Sequence, residues 1–133
     1  MGILGASNNA PGVGTGLTYI GDHCYAHSGF IASTTTESTQ LKFDIANQFV
    51  MATIMLNGGI DPVNITNGID TIFYIIMNGE KVAAIKTETN LEDMPSTILY
   101  QILIPPYTAL EITADSTFTG YQTSVTLEGR VYG

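Results

Sequence analysis

Two apolar stretches that meet at Pro105 and Pro106 constrain the fold of this chain more than any other feature. In residues 97–104 every second side chain from Ile98 onward is apolar, and the same two-residue period returns in residues 109–113. This period is typical of β-strands with one buried face. Neither proline has a backbone N–H for a strand ladder and each has a restricted φ, so strand pairing must stop there. The sequence therefore predicts two strands that meet at a corner.

The same alternation recurs along the rest of the chain and predicts an all-β fold. From Tyr19 onward the strand patterns follow one another at roughly the 8–12-residue spacing of a β-sandwich, and Asn78-Gly79 is a strong hairpin signal. In the first strand Cys24 and Phe30 are expected on one face. The predicted strands lie near residues 23–31, 40–45, 49–56, 71–77, 81–88, 97–104, 109–113 and 121–131.

Eight antiparallel strands, with no amphipathic helix of ten or more residues and one long connection, favour an eight-stranded jelly-roll sandwich over residues 19–133. An immunoglobulin-like sandwich is the alternative, but the chain lacks its second cysteine and its tryptophan. Residues 1–18 contain five glycines and little apolar surface, so we expect a flexible Gly-rich N-terminal arm. That arm is either a frayed terminus or a segment that orders on a neighbouring molecule.

Charge and composition exclude several classes of partner. The net charge of −8 opposes binding to a phosphate backbone, so nucleic acid is not expected as a partner. Cys24 is the only cysteine, which rules out an intrachain disulfide. No apolar run is long enough for a membrane span and no signal peptide is evident, so no membrane association is expected. Charged residues make up only 12% of the chain, about half the usual share, which indicates either a surface covered by another subunit or a threonine-rich β domain, in which few charges are common.

No pattern in the sequence predicts catalysis, a cofactor or a metal site. His23 and His27 would share one face of a strand while Cys24 points the other way, so at most two ligands converge unless a symmetry axis gathers histidines from several subunits. Asp61 or Asp70 with Glu92-Asp93 could form a glycosidase pair, but nothing in the sequence sets their separation. No Gly-x-Ser-x-Gly motif occurs. We therefore expect a protein that is not an enzyme.

Two predicted strands are apolar on both faces, which is unusual for an antiparallel sandwich in which one face of each strand should be solvated. The strands are 49–56 and 71–77. Either a long loop covers the second face, or a subunit interface does. The interface hypothesis predicts that one of two sets becomes buried only in an oligomer: Phe49, Met51 and Met55, or Phe73, Ile75 and Met77.

Four segments together resemble the small jelly-roll structural proteins of tailed bacteriophages. They are residues 54–58, the hairpin 76–80, residues 93–95 leading into 104–108, and the closing residues 125–133. The resemblance covers roughly residues 41–133, and its motifs are turns and strands rather than catalytic groups. It implies a virion protein: a trimeric decoration, or cement, protein that binds the major capsid protein on the outer capsid surface and stabilises the shell.

Two features of the sequence fit that role: the Gly-rich arm, which we expect to contact the capsid through Ile3, Leu4, Val13 and Leu17, and the absence of cysteine pairs, which fits assembly in the host bacterial cytoplasm. The resemblance brings no catalytic residues. A carbohydrate-binding β-sandwich is the alternative function. Because the chain has no tryptophan, such a module would depend on Tyr19, Tyr25, Tyr107 or Tyr132 to stack against sugars.

Overall fold

The computed structural model describes residues 17–60, 69–89, 97–117 and 119–133, and within these ranges every regular element is a β-strand. The described residues contain no helix that is long and apolar enough to cross a membrane. The strands are β1 (Thr18–Ile20), β2 (His23–His27), β3 (Ile31–Ala32), β4 (Ser38–Asp44), β5 (Phe49–Ile60), β6 (Ile69–Met77), β7 (Glu80–Thr89), β8 (Thr97–Ile104), β9 (Ala109–Ser116) and β10 (Gln122–Tyr132).

The ten strands form two sheets in which every pairing is antiparallel. The six-stranded sheet has the order β1-β2-β10-β5-β8, with β3 also paired to β10, and the four-stranded sheet has the order β4-β9-β6-β7. From β3 onward the chain passes to the opposite sheet with each new strand, except at the β6–β7 hairpin, where both strands lie in the four-stranded sheet. This connectivity is a jelly roll. It confirms the predicted fold. The structure has ten strands in its described part rather than the predicted eight, because the short strands β1 and β3, of three and two residues, were not predicted.

The core lies between the two sheets and is built by the alternation seen in the sequence. Inward-facing side chains of β5, such as Val50 and Leu56, meet those of β6 and β9 across the sandwich. The fully buried apolar residues include Leu17, Leu41, Val50, Ile54, Leu56, Phe73, Ile75, Ile104, Ile112, Val125 and Leu127. One polar pair is also enclosed: Thr123 donates a hydrogen bond to Oε1 of Gln40 at 3.0 Å, and both side chains are fully buried.

The predicted strand 23–31 is shorter in the structure. β2 ends at His27, and Gly29 has a φ of 69°, which turns the chain before β3. Phe30 is therefore 70% exposed and does not share a face with the buried Cys24. The prediction failed because a period of two continues through Ser28 in the sequence, whereas the glycine takes a conformation that ends the strand.

Both predicted turns are confirmed. Asn78 and Gly79 have φ values of 51° and 86°, the left-handed conformations that a two-residue hairpin requires. At the proline corner β8 ends at Ile104 and β9 begins in the other sheet, so the corner carries the chain across the sandwich. There the Thr108 hydroxyl donates to the Pro105 carbonyl at 2.8 Å, and Tyr107 has a φ of 58°.

The described end of the N-terminal segment belongs to the sandwich. Leu17 is fully buried in the core of its own chain, so it is not free to contact a capsid, and β1 starts at Thr18. The other predicted arm contacts, Ile3, Leu4 and Val13, lie outside the described residues.

Candidate interaction surface

The outer face of the six-stranded sheet carries the largest group of exposed apolar side chains along two neighbouring strands. We call this group the apolar patch: Phe49, Met51, Met55, Leu99 and Leu103, which are 44%, 49%, 40%, 63% and 47% exposed. In the β5–β8 ladder Met51 lies opposite Leu103 and Met55 opposite Leu99. Residues opposite each other in antiparallel strands have Cβ atoms about 5 Å apart, so these pairs form two apolar rows across the strands.

Between the two rows lies one uncharged polar pair, Thr53 opposite Gln101. A second polar row closes the patch at its end: Asn57 donates to the Ser124 hydroxyl at 2.8 Å and accepts from the Thr97 hydroxyl at 2.8 Å. These hydrogen bonds tie β10, β5 and β8 together side by side. The patch is thus a firm surface built on paired strands and contains no charged side chain of its own.

The structure separates the two candidate interface sets. Phe73 and Ile75 are fully buried within the single chain and Met77 packs against the core, because β6 lies inside the four-stranded sheet with these residues facing the other sheet. Phe73 and Ile75 are therefore not available to a partner, and Met77 is only partly exposed. Phe49, Met51 and Met55 are the set that lies on the surface.

Sequence reasoning missed Leu99 and Leu103. It assigned the buried face of β8 from Ile98 onward but gave no role to the apolar side chains in between. The signal was present, because Leu99 and Leu103 are apolar side chains on the face of β8 opposite to Ile98, so both faces of this strand carry apolar residues, as in β5. What the sequence could not show is that β8 lies beside β5, so that the outer faces of the two strands join.

The outer face of the four-stranded sheet has a different character, since the three lysines of the chain lie on its strands. Lys81 pairs with Glu37 at 2.9 Å and lies 4.0 Å from the ring centre of Tyr74. Lys86 lies 3.5 Å from Asp70. Hydrogen bonds from Thr113 and Lys81 lower the pKa of the Glu37 carboxyl. This face is therefore polar, and the outward side chains of β6 are half-buried within it.

A cavity of about 530 Å³ lies beside the apolar patch on the β2–β10 side of the same sheet. Tyr25 and Tyr132 contribute aromatic walls, Gln101 and Glu128 contribute polar groups, and Met51 belongs to both the cavity and the patch. At the rim Arg130 donates to Asp22 at 2.7 Å, which lowers the pKa of that carboxyl, and His23 Nδ1 lies 2.9 Å from the same side chain.

The residues considered for metal binding are dispersed. Cys24 faces the core, where burial raises the pKa of its thiol to about 11, while His27 stacks on Tyr25 with ring centres 6.0 Å apart. No three ligand-type side chains converge within the described ranges. Of the candidate glycosidase acids, Asp70 pairs with Lys86, and Asp61, Glu92 and Asp93 lie outside the described residues.

Two of the four tyrosines proposed for sugar binding lie away from this cavity. Tyr19 is half-buried against the core, where desolvation raises the pKa of its hydroxyl. Tyr107 is 74% exposed at the proline corner. Tyr25 and Tyr132 are therefore the only pair of the four that lines the same cavity in the described structure.

No protein-family model matches the sequence. No curated protein matches it. Among solved structures, the chain is similar to the VP2 subviral particle of infectious bursal disease virus, with a TM-score of 0.48 and 11% identity over 91% of this chain and 36% of that one. The Gx strain of the same virus gives a TM-score of 0.42 and 8% identity over 91% and 35%. The chain thus spans about a third of the length of these viral chains.

Proposed function

We propose that this chain is a structural protein of a virus particle and acts by packing against copies of itself and against a shell. The observation that carries the proposal is the apolar patch, an uncharged surface on a protein with few charges overall. Full burial of one large apolar side chain is worth about 1.5–3 kcal/mol, so covering several half-exposed ones on a rigid sheet favours a lasting contact. The jelly-roll topology and the phage-like segments described above support the same conclusion.

The finer form of the proposal is a homotrimer that decorates the outer capsid surface of a bacteriophage. In a ring of three, the apolar patch of one copy packs against a different surface of the next, and the ring closes without leaving an open end. The trimer then binds the major capsid protein and holds neighbouring capsomers together. Assembly in the bacterial cytoplasm is in keeping with the single, buried Cys24, because a reducing compartment gives no disulfides.

A lysine in the patch tests the proposal. Met55→Lys places a charge opposite Leu99, in one of the two apolar rows of the patch. Ala84→Lys adds the same charge at an exposed position of β7 on the other sheet. We expect the unchanged protein and Ala84→Lys to have the mass of a trimer and to co-sediment with purified shells. Met55→Lys should lose the trimer while keeping its circular dichroism spectrum.

The proposal would be overturned if the unchanged protein were monomeric at all concentrations and remained in the supernatant when shells are pelleted. It would also fail if Met55→Lys and Ala84→Lys behaved alike, because the apolar patch would then have no part in association.

Carbohydrate binding is the second candidate, and the cavity beside the patch supports it. Tyr25 and Tyr132 offer ring faces for sugar stacking, while Gln101 and Glu128 offer hydrogen-bonding groups. A glycan array with the unchanged protein and Tyr25→Ala tests this function. Binding that disappears in Tyr25→Ala would favour it, and an array without signal would leave the structural role alone.

A further inference from the structure

The free edge of β8 differs from the other sheet edges in the described structure. Among the described strands β8 pairs with β5 alone, so one side of this eight-residue strand has no ladder partner there. A row of unpaired N–H and C=O groups on such an edge is a ready template for another strand. Natural proteins usually protect edges with charges, bulges, prolines or short length.

The other edge strands of the described structure carry these protections. β1 has only three residues and β3, which pairs with β10 alone, only two. β4 has a register shift between Thr39 and Leu41 and carries Lys42. β7 faces a shift between Ile75 and Ile76 and carries two lysines and two glutamates. β8 has none of them: it contains no charged residue and no proline, and its register with β5 runs unbroken.

We propose that β8 pairs with β8 of a second copy of this chain, antiparallel and about a two-fold axis at Gln101, so that the two six-stranded sheets become one. For its place in a virus shell the inference rests on the proposed function, where it joins one trimer to the next. For the pairing itself it rests on the edge alone. The contact at the edge lies in the plane of the sheet, so the outer face of the patch stays available to another partner.

The register follows from the side chains. With Gln101 opposite Gln101 of the second copy, Leu99 lies opposite Leu103 and the two amide side chains meet at the axis. A shift by one residue would turn the core-facing side of the second copy toward the solvent side of the first, because side chains alternate between faces. A shift that centres the axis on Tyr100 instead places Leu99 opposite Gln101. An axis at Leu99 or at Leu103 pairs only one leucine of each copy with a leucine, whereas the register at Gln101 pairs both.

This register also continues the apolar patch across the axis. Each row then runs from Met55 through Leu99 to Leu103 and Met51 of the second copy. The chain has a net charge of −8, and like charges oppose contact between copies. Because β8 and the patch contain no charged residue, pairing of the two edges brings no charged side chain of either into contact, and Glu128 and Arg130 lie two strands away on β10. These two features identify a second copy as the occupant of the edge.

A cysteine at the axis tests the contact directly. Gln101→Cys brings two thiols opposite each other in paired strands, within the Cα separation that a disulfide needs. Ala84→Cys is the matched control on the exposed edge of the other sheet. Cys24 can stay, because it is buried and its high thiol pKa keeps it unreactive. We expect a disulfide-linked dimer from Gln101→Cys at least tenfold faster than from the control.

A charge-exchange experiment tests the two-fold register. Gln101→Lys and Gln101→Glu each place like charges opposite each other at the axis, which should raise the dissociation constant for self-association roughly fivefold or more. An equimolar mixture of the two variants should recover association as a mixed pair. Because Gln101 is exposed, both variants should keep the stability of the unchanged protein.

The inference is overturned if Gln101→Cys crosslinks no faster than Ala84→Cys, or if the lysine and glutamate variants associate as well alone as mixed. A trimer that binds shells but gives no crosslink would refute the edge contact and leave the proposed function standing. A crosslinked pair that does not bind shells would support the edge contact and refute the proposed function.

Discussion

At Gly129 the absence of a side chain decides how closely two central strands approach. Gly129 lies in β10 between Ala52 of β5 and Cys24 of β2, both of which are buried. A Cβ atom at this position would lie 2.4 Å from the carbonyl oxygen of Met51 and 2.9 Å from the Cα of Ala52. Both atoms belong to backbone, so relief requires a strand to move rather than a side chain to rotate.

We therefore expect Gly129→Ala to lower the free energy of unfolding by about 1–3 kcal/mol, the usual cost of overpacking a core. Urea denaturation measures it. Gly79→Asn is the control, because nothing lies within 4 Å of a Cβ there and asparagine tolerates the positive φ of that hairpin position. Equal stability of Gly129→Ala and the unchanged protein would mean that β5 and β10 can separate without loss.

The sequence indicates that the backbone is approached closely at Gly129, but it does not identify the neighbour. It shows a glycine within the alternating pattern of 121–131, and a glycine inside a strand suggests close backbone approach. It does not show that the close neighbour is Met51, because β5 and β10 are separated by more than sixty residues of chain.

Among the elements, Glu37 links three strands of the four-stranded sheet. It lies just before β4, accepts a hydrogen bond from Thr113 of β9 and pairs with Lys81 of β7 at 2.9 Å. These two interactions lower the pKa of the Glu37 carboxyl in the folded protein. The stability they contribute is therefore present above the pKa of the unfolded chain and is lost as the pH falls through the lower folded value.

Glu37→Gln should consequently reduce the loss of thermal stability on acidification. Between about pH 6 and pH 3 the Tm of the variant should fall less than that of the unchanged protein, since the amide does not titrate. Asp44→Asn, which removes an exposed carboxylate at the other end of β4, is the control. If the two variants showed the same pH profile, the contacts of Glu37 would contribute nothing to stability.

Strand identity could be predicted at the element scale, whereas strand neighbours could not. The period of two located β5 and β6 and indicated that each is apolar on both faces. In the structure the outward faces of the two strands differ. The outward face of β5 is exposed in the patch, whereas the outward face of β6 is half-buried among polar side chains. The difference arises from the adjacent strands, β8 in one sheet and β7 and β9 in the other.

For the whole molecule, the lysines are segregated from the apolar patch, whereas Glu128 and Arg130 of β10 lie opposite Thr53 and Met51 of β5. The lysines lie on the four-stranded sheet and the apolar patch lies on the opposite side of the sandwich, yet the net charge of −8 acts on any approaching copy. Association through the patch therefore has to overcome a long-range repulsion.

Salt should strengthen self-association for this reason. Raising the ionic strength from about 0.01 M to 0.15 M shortens the screening length from about 30 Å to about 8 Å, which weakens repulsion between copies and leaves apolar burial unchanged. Sedimentation over this range should show a falling dissociation constant. Replacing Asp44 and Glu80 by their amides should make the salt dependence smaller. Weaker association at higher salt would instead indicate ion pairs between copies, contrary to a contact through the patch.

The all-β class, the positions of the longer strands from β4 onward, the Asn78-Gly79 hairpin and the proline corner follow from the sequence by itself, because side-chain alternation and turn conformation are local properties of the backbone. The sheet in which each strand lies, the burial of Phe73 and Ile75, and the union of Met55 with Leu99 in one surface were decided by the tertiary structure alone. Strand neighbours such as β5 and β8 are chosen by the packing of the whole core, and no local pattern records that choice.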